Sequence, residues 1–368
     1  MPPPDVLGSD YLDLLSQFGL SPASFEPSSV NTADIEAFTA TFVAHQGQES
    51  FAEYLKEALA KEIGSQISSA NYRADFILQR SNRRIRRAIS VSPSWAAAAE
   101  DKQVFVGEFP TGSINAEARK TANGYLILIN TGLLYFVKQV IEALCSDQSN
   151  EQTLIEEIAH AVLAYLVRTD PVYGPMPNAS DNLALTAQQL EFAVYDFIIA
   201  HEYGHLLRGH LDADEQNRML AVDAASLPVI NKSWEQEYEA DEVGYALTLS
   251  EMKELNWQTV DRLLQSSEPP TNLQEWRDHM KLAGVLAALA APTFFFVMEK
   301  LIVKAHSALH DVNFETQLTS THPPSESRRE KLESNAPFPY NHYLSYGAML
   351  EDLIAPVTEL TREFAERP

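Results

Sequence analysis

The sequence predicts an α+β fold that is mostly helical and contains a small antiparallel or mixed sheet. Residues 104–106 and 124–129 are runs of β-branched, aromatic and other apolar residues, and an Asn-Gly pair at 123–124 marks a turn. Residues 114–118 are expected to form a third, outer strand. From Gly132 onward the apolar residues recur mostly at helical spacing. A few strands followed by many helices are typical of the α+β class.

Helices are predicted on both sides of this sheet. Before it, a short helix should begin after Ser9, and residues 38–69 and 74–89 have the spacing of two longer helices. After it, residues 151–168 carry a continuous apolar face, as expected of a helix that packs on a core. Residues 282–298 are uncharged but contain a proline, and a membrane span needs about 20 apolar residues. We therefore predict a buried core helix there and no stable membrane span.

The composition of the chain limits its partners and its location. It has 27 Lys+Arg against 51 Asp+Glu, a formal net charge of −24. Most of such a surface repels polyanions, so we expect no nucleic-acid partner. The single cysteine, Cys145, excludes an internal disulfide and fits a reducing compartment. With no secretory signal visible at the N-terminus, a cytoplasmic location is predicted.

The residues most informative about function are His201, Glu202 and His205. They lie in a predicted helix, for which Thr186 and Gln189 have the spacing of a capping box. Because the two histidines are four positions apart, both imidazoles project from one face and can share a metal ion. Glu202 lies beside them, where it could accept a proton from a metal-bound water.

A second predicted helix supplies the remaining metal ligand. Ser233 and Gln236 have the spacing of a capping box for this helix, and Glu237 lies in its first turn. Two histidines and a glutamate are a common ligand set of catalytic zinc, which keeps a fourth position for water and lowers the pKa of that water to about 7. The pattern therefore predicts a Zn²⁺ site with Glu202 as its general base.

The surroundings of the metal ligands are predicted from the same two helices. Asp241 lies one helical turn beyond Glu237, so we expect it to accept the second N–H of a ligating histidine, most simply His201. His210 is out of register with the two motif histidines, and we expect it to point away from the site. His306 and His310 are also four apart, but no third ligand is evident beside them.

Four short segments occur in a characteristic order along the chain. They are Asn115-Ala116 with the strand that follows, the histidine motif, Glu237-Tyr238-Glu239-Ala240-Asp241, and Thr321-His322-Pro323-Pro324 with Arg328. Together they resemble the M48-like gluzincin metallopeptidases, the relatives of the CAAX prenyl protease and HtpX. The resemblance covers residues 113–332. Clear transmembrane helices, present in membrane-bound members, are not predicted here, so the chain is similar to a soluble member.

The resemblance implies a fold and an activity. The fold would be a zincin-like core with an active-site helix, and the activity that of a zinc-dependent endopeptidase. A protein or peptide substrate would lie extended along the edge strand, against Asn115 and Ala116. His322 would lie near the cleft and stabilise the oxyanion of the tetrahedral intermediate. An alternative for this segment is a plain helix lead-in, because Pro323 and Pro324 suit a first helical turn.

Two further questions stay open at this level. The same zinc ligands would also serve a non-catalytic adaptor or regulatory protein that keeps zinc as a structural ion. Four arginines at helical spacing form either an internally paired face or a docking site for an acidic partner or a phosphate-bearing ligand. These are Arg80, Arg83, Arg84 and Arg87.

The chain is predicted to divide into three parts. Residues 1–100 would form an N-terminal helical region that controls access or recognises partners. Residues 101–335 would form the metallopeptidase core. Residues 336–368 would form a helical tail that packs back on this core.

Overall fold

The computed structural model describes residues 6–17, 72–112, 114–146, 150–168, 177–180, 183–212, 233–250, 273–310, 323–335 and 350–366. The predicted helix over residues 38–69 lies outside this part, as does His322. The helices before the sheet are α1 Val6–Gln17, α2 Tyr72–Ser90 and α3 Pro93–Ala98. Those after it are α4 Thr131–Leu144, α5 Glu151–Leu163 with a π-helical extension Ala164–Arg168, α6 Ala184–Leu207, α7 Trp234–Thr248, α8 Leu273–His310, α9 Ser325–Asn335 and α10 Glu351–Glu366. The predicted mostly helical α+β fold is confirmed.

The sheet is small and mixed. Its strands are β1 Val104–Phe109, β2 Ala116–Lys120 and β3 Tyr125–Asn130, in the order β1-β3-β2. Strand β3 pairs parallel with β1 and antiparallel with β2. The outer strand predicted at residues 114–118 therefore exists, but it begins two residues later. Gly124 in the turn has a φ of 155°, a conformation that an L-residue rarely adopts.

Strand β3 is buried along its whole length because both faces of the sheet are covered. Leu126 and Leu128 pack in a small cluster with Leu7 and Leu15 of α1, while Ile127 faces the main core. Helices α1 and α2 also cover the outer edge of β1. The Tyr11 hydroxyl donates to the carbonyl of Glu108, and Gln79 Nε2 donates to the carbonyl of Val106 at 3.3 Å.

The main core surrounds helix α6, which packs against α2, α4, α7, α8, β2 and β3. One continuous cluster of buried residues contains Ile85 of α2, Val194 of α6 and Val357 of α10. The described residues of the three predicted domains therefore share one hydrophobic core.

Helix α8 contains the apolar stretch that the sequence placed in the core. Of the residues with described positions, only Leu282–His310 is long and apolar enough to cross a membrane, and 72% of its most apolar window is buried inside the protein. Ala288, Leu289 and Ala291 are completely buried. A core helix was predicted here, and the burial confirms it.

The start of α6 corrects one prediction. The helix begins at Ala184, its N-cap residue is Leu183, and no side chain caps it. Thr186 therefore lies inside the first turn and is exposed, not at the cap position. The predicted capping box with Gln189 was wrong because the helix extends three residues further toward the N-terminus than the box requires.

Candidate metal centre

Helices α6 and α7 bring three potential ligand atoms together. The Nε2 atoms of His201 and His205 lie 3.1 Å apart. The Glu237 carboxylate lies 3.5 Å from each of them, through Oε2 to His201 and through Oε1 to His205. All three side chains are buried, and their ligand atoms lie within 4.8 Å of one another. The group could therefore hold a metal ion, as the spacing of the residues predicts.

The start of α7 is set by local sequence. Ser233 Oγ accepts from the N–H of Gln236 at 3.3 Å, and the Gln236 side chain accepts from the N–H of Ser233 at 2.8 Å. This is the predicted capping box, and it is confirmed. The negative charge of Glu237 in the first turn is also favourable at the positive end of the helix dipole.

Two glycines allow α6 and α7 to approach closely enough to join the ligands. A Cβ atom on Gly204 of α6 would lie 2.8 Å from the Cα and the carbonyl oxygen of Ala240 in α7. On Gly244 of α7 it would lie 2.9 Å from the backbone nitrogen of His201. Both contacts are with backbone atoms, which cannot rotate away. The short distance between Glu237 and the histidines thus depends on residues without side chains.

We expect Gly204→Ala and Gly244→Ala each to lower the free energy of unfolding by about 1–3 kcal/mol, because the added methyl overpacks the helix interface. Both variants should also bind metal more weakly, since α7 carries Glu237. Gly284→Ala is the matched control: it lies in a helix, and its Cβ would meet only the flexible Gln189 side chain at 3.3 Å. Urea unfolding and metal titration measure both effects. If Gly204→Ala and Gly244→Ala lower the free energy of unfolding no more than Gly284→Ala does, the two helices do not need glycine at these positions.

The second nitrogen of His201 is held by a buried charge network. His201 Nδ1 lies 2.9 Å from Asp241 Oδ1, the contact that the helical spacing predicts. Asp241 in turn accepts two hydrogen bonds from Arg328 of α9, at 2.8 Å from Nε and 2.6 Å from Nη2. Arg328 Nη1 also donates to Glu299 of α8, at 3.0 Å. The network therefore ties α7, α8 and α9 to one candidate metal ligand, His201.

The pKa values in this network are shifted by burial and by neighbouring charges. Burial lowers the pKa of His201, but Asp241 and Glu237 outweigh it and raise the pKa to about 9. Burial raises the pKa of Asp241, but the Arg328 guanidinium outweighs it and holds that pKa below its usual value. Burial also raises the pKa of Glu299, which Arg328 only partly offsets. The raised pKa of His201 favours its protonated form, and a metal has to compete with that proton for the ring.

The second nitrogen of His205 contacts a residue that was predicted to point away. His210 Nδ1 lies 2.9 Å from His205 Nδ1, and His210 Nε2 lies 2.8 Å from Glu239 Oε2. The prediction for His210 was wrong because α6 ends at Leu207 and the chain turns at Gly209, whose φ is 75°. The sequence did carry the signal, since a glycine just after a helix commonly ends it in this way.

Helix α2 is joined to α6 by ion pairs and by a hydrogen bond. Asp196 of α6 is completely buried and pairs with Arg80 at 3.3 Å and with Arg84 at 2.5 Å. The Tyr203 hydroxyl, inside the histidine motif, donates to Asn82 Oδ1 at 2.7 Å. Two of the four predicted arginines thus form the internally paired face. The other two, Arg83 and Arg87, are exposed.

The remaining predicted residues differ in how far the structure describes them. Asn115 and Ala116 lie at the start of β2, which packs against α6, and the Asn115 carbonyl accepts from the N–H of Asn130 at 3.0 Å. His322 lies outside the described residues. Arg328 belonged to the segments that carry the resemblance, but no role had been predicted for it. Glu299 was missed, because nothing near it in the sequence marks it as a partner of Arg328.

Comparisons of the chain with protein-family models, with curated proteins and with solved structures found no match.

Proposed function

We propose that this protein is a zinc-dependent endopeptidase. The observation that carries the proposal is the convergence of His201 Nε2, His205 Nε2 and the Glu237 carboxylate, with Glu202 beside them. Glu202 is buried, and its Oε1 lies 4.0 Å from His201 Nε2. A metal-binding triad with an adjacent carboxylate outside it is the arrangement that metal-assisted hydrolysis needs.

The donor atoms support zinc as the metal. Two imidazole nitrogens and one carboxylate are a typical ligand set of catalytic zinc. Both Nδ1 atoms are engaged elsewhere, by Asp241 and by His210, which leaves the Nε2 lone pairs for the metal. When bound, zinc supplies Lewis acidity toward a water molecule and a peptide carbonyl.

The residues around the triad have separate tasks in this proposal. The Glu202 carboxylate lies next to the triad, where it can accept a proton from water and pass that proton to the leaving amine. Asp241 and Arg328 orient His201. Asn115 and Ala116, at the start of the outer strand β2, are proposed to bind an extended peptide by main-chain hydrogen bonds. The task proposed for His322 is to donate to the oxyanion.

A second candidate function is supported by the burial of the site. His201 is 7% exposed, Glu202 3%, Glu237 1% and His205 0%. Structural zinc sites are closed, whereas catalytic sites keep an open position. A non-catalytic adaptor or regulatory protein with a structural zinc is therefore the alternative. The peptidase is favoured, because a purely structural site has no use for the buried carboxylate of Glu202.

The location is proposed from the single cysteine and the lack of a visible secretory signal, and the partners from the charge of the chain. We propose a cytoplasmic protein whose main partner is its protein or peptide substrate. A docking site for an acidic partner or a phosphate-bearing ligand would involve Arg83 and Arg87, whose side chains are exposed. Arg80 and Arg84 are less exposed and pair with the buried Asp196.

We expect the purified wild type to retain about one zinc ion per chain and Glu237→Ala to lose it, because two histidines alone leave the site one ligand short. Elemental analysis measures the metal. Glu235→Ala is the matched control, since Glu235 lies in the same first turn but is exposed. Wild type that takes up no zinc, or Glu237→Ala that keeps it, would contradict the site. Cleavage of a peptide mixture, lost on chelation and restored by zinc, then separates the peptidase from the adaptor.

A further inference from the structure

The two candidate ligand histidines are supported in different ways. His201 contacts a carboxylate, Asp241, that is itself held by a buried arginine. His205 contacts a third imidazole, that of His210. The chain of contacts from His205 ends at Glu239, whose side chain is 40% exposed, whereas the chain from His201 stays buried as far as Arg328. The chain of contacts from His205 therefore reaches a partly exposed carboxylate through a single residue, His210.

The end of α6 places His210 against His205. The N–H of His210 donates to the carbonyl of His205 at 2.9 Å, and the N–H of Gly209 donates to the carbonyl of Leu206 at 3.2 Å. These two bonds, with Gly209 in the left-handed conformation, form a Schellman motif. The motif turns the backbone back over the last helical turn, so the His210 ring lies 5.2 Å from the His205 ring.

The contacts permit one arrangement of protons when His205 Nε2 faces a metal. His205 must then carry its proton on Nδ1 and donate it to His210 Nδ1. His210 accepts there, so its own proton is on Nε2, where it donates to Glu239 Oε2 at 2.8 Å. A carboxylate at the end of the chain favours this arrangement, because it can only accept.

We propose that His210, held by Glu239, is a positioning residue for the metal ligand His205. It fixes the ring orientation and the tautomer of His205, so that the Nε2 lone pair is directed toward the metal. The proposal rests on the metal centre of the proposed function, but it does not require that the protein cleaves peptides. Loss of such an outer partner typically weakens metal binding 10–100-fold.

Three variants separate positioning from simple packing. His210→Leu removes the acceptor for His205 and the donor to Glu239. His210→Asn keeps a carbonyl oxygen near the position of Nδ1 and therefore keeps the acceptor. Glu239→Gln removes only the carboxylate at the surface. The matched control is His160→Leu, a half-buried histidine of α5 whose Nδ1 contacts the Glu156 carbonyl, far along the sequence from the metal ligands.

The test is zinc affinity, measured by competition with a chelator of known strength, together with the absorption spectrum of the Co²⁺-substituted protein. We expect His210→Leu to bind zinc about 10–100-fold more weakly and to alter the Co²⁺ spectrum. His210→Asn and Glu239→Gln should lose less zinc affinity than His210→Leu, and His160→Leu should lose none. Thermal unfolding of the metal-free proteins shows whether packing alone has changed.

Each outcome decides between the possibilities. If His210→Leu binds zinc as the wild type does, or if His210→Asn loses as much as His210→Leu, the positioning proposal is wrong. If His210→Leu does not fold, Glu239→Gln carries the test, and unchanged zinc affinity in that variant overturns the proposal. A wild type that binds zinc but cleaves nothing refutes the peptidase and leaves His210 in its role. A wild type that binds no metal refutes both.

Discussion

Glu202→Gln is expected to bind zinc as the wild type does and to hydrolyse peptides about 10²- to 10⁴-fold more slowly. Glutamine has the same shape as glutamate but cannot accept the proton that hydrolysis releases from water. Glu202 is buried next to the triad, with Oε1 4.0 Å from His201 Nε2, whereas the carboxylate of the triad itself, Glu237, is a candidate metal ligand. Steady-state cleavage of a peptide substrate measures the effect.

The control for this variant is Glu191→Gln. Glu191 is also buried in α6, about three helical turns before Glu202, where it contacts the Tyr195 hydroxyl. It should retain wild-type cleavage, because it lies away from the metal ligands along the helix. If Glu202→Gln cleaves as fast as the wild type, Glu202 is not the general base. If both variants lose activity equally, the loss reflects a buried charge in α6, not catalysis.

Arg328→Met is expected to lower the free energy of unfolding by about 3–5 kcal/mol, the usual cost of breaking a buried ion pair by removing one partner. The guanidinium is 3% exposed and bonds to both oxygens of Asp241 and to Glu299. Methionine would leave the buried Asp241 and the partly buried Glu299 without their countercharge, and Asp241 would no longer be held against His201. We therefore also expect weaker zinc binding, measured by the same competition.

Arg329 provides a neighbouring comparison in the same helix. It pairs with Glu333 and Glu351 near the surface, and such pairs contribute about 0–1 kcal/mol. Urea unfolding of Arg329→Met should therefore show little change. Arg328→Lys should fall between the two, because it keeps the charge but cannot form the bidentate contact with Asp241. If Arg328→Met and Arg329→Met lower the free energy of unfolding equally, the buried network adds nothing to stability.

The candidate metal ligands could be predicted because their arrangement is local. His201 and His205 are joined by one helical turn, and so are Glu237 and Asp241, so each pair has a known geometry once its helix is recognised. The strands of the sheet were predictable for a similar reason, since runs of β-branched residues and a turn signal lie within a short segment. These predictions need no knowledge of how the elements pack.

The errors occurred where a helix ends or where distant segments meet. His210 was misplaced because its register was read as if α6 did not turn at Gly209. Thr186 was assigned to a cap, although the chain had already become helical at Ala184. In both cases the residue types were compatible with the observed structure, but the end of a helix depends on packing as well as on local preference.

The sequence by itself determined the fold class, the three candidate ligands, the position of Glu202 beside them and the outer partner Asp241. The tertiary structure alone decided that Glu237 reaches the histidines, that Arg328 and Glu299 complete the network of His201, and that Asp196 binds two arginines of α2. The physical reason is that helical periodicity relates residues within a few turns, whereas a buried charge takes its partner from whichever segment packs against it. Gly204 and Gly244 are local features of the sequence with a tertiary effect, because the absence of a side chain at these positions lets α6 and α7 meet.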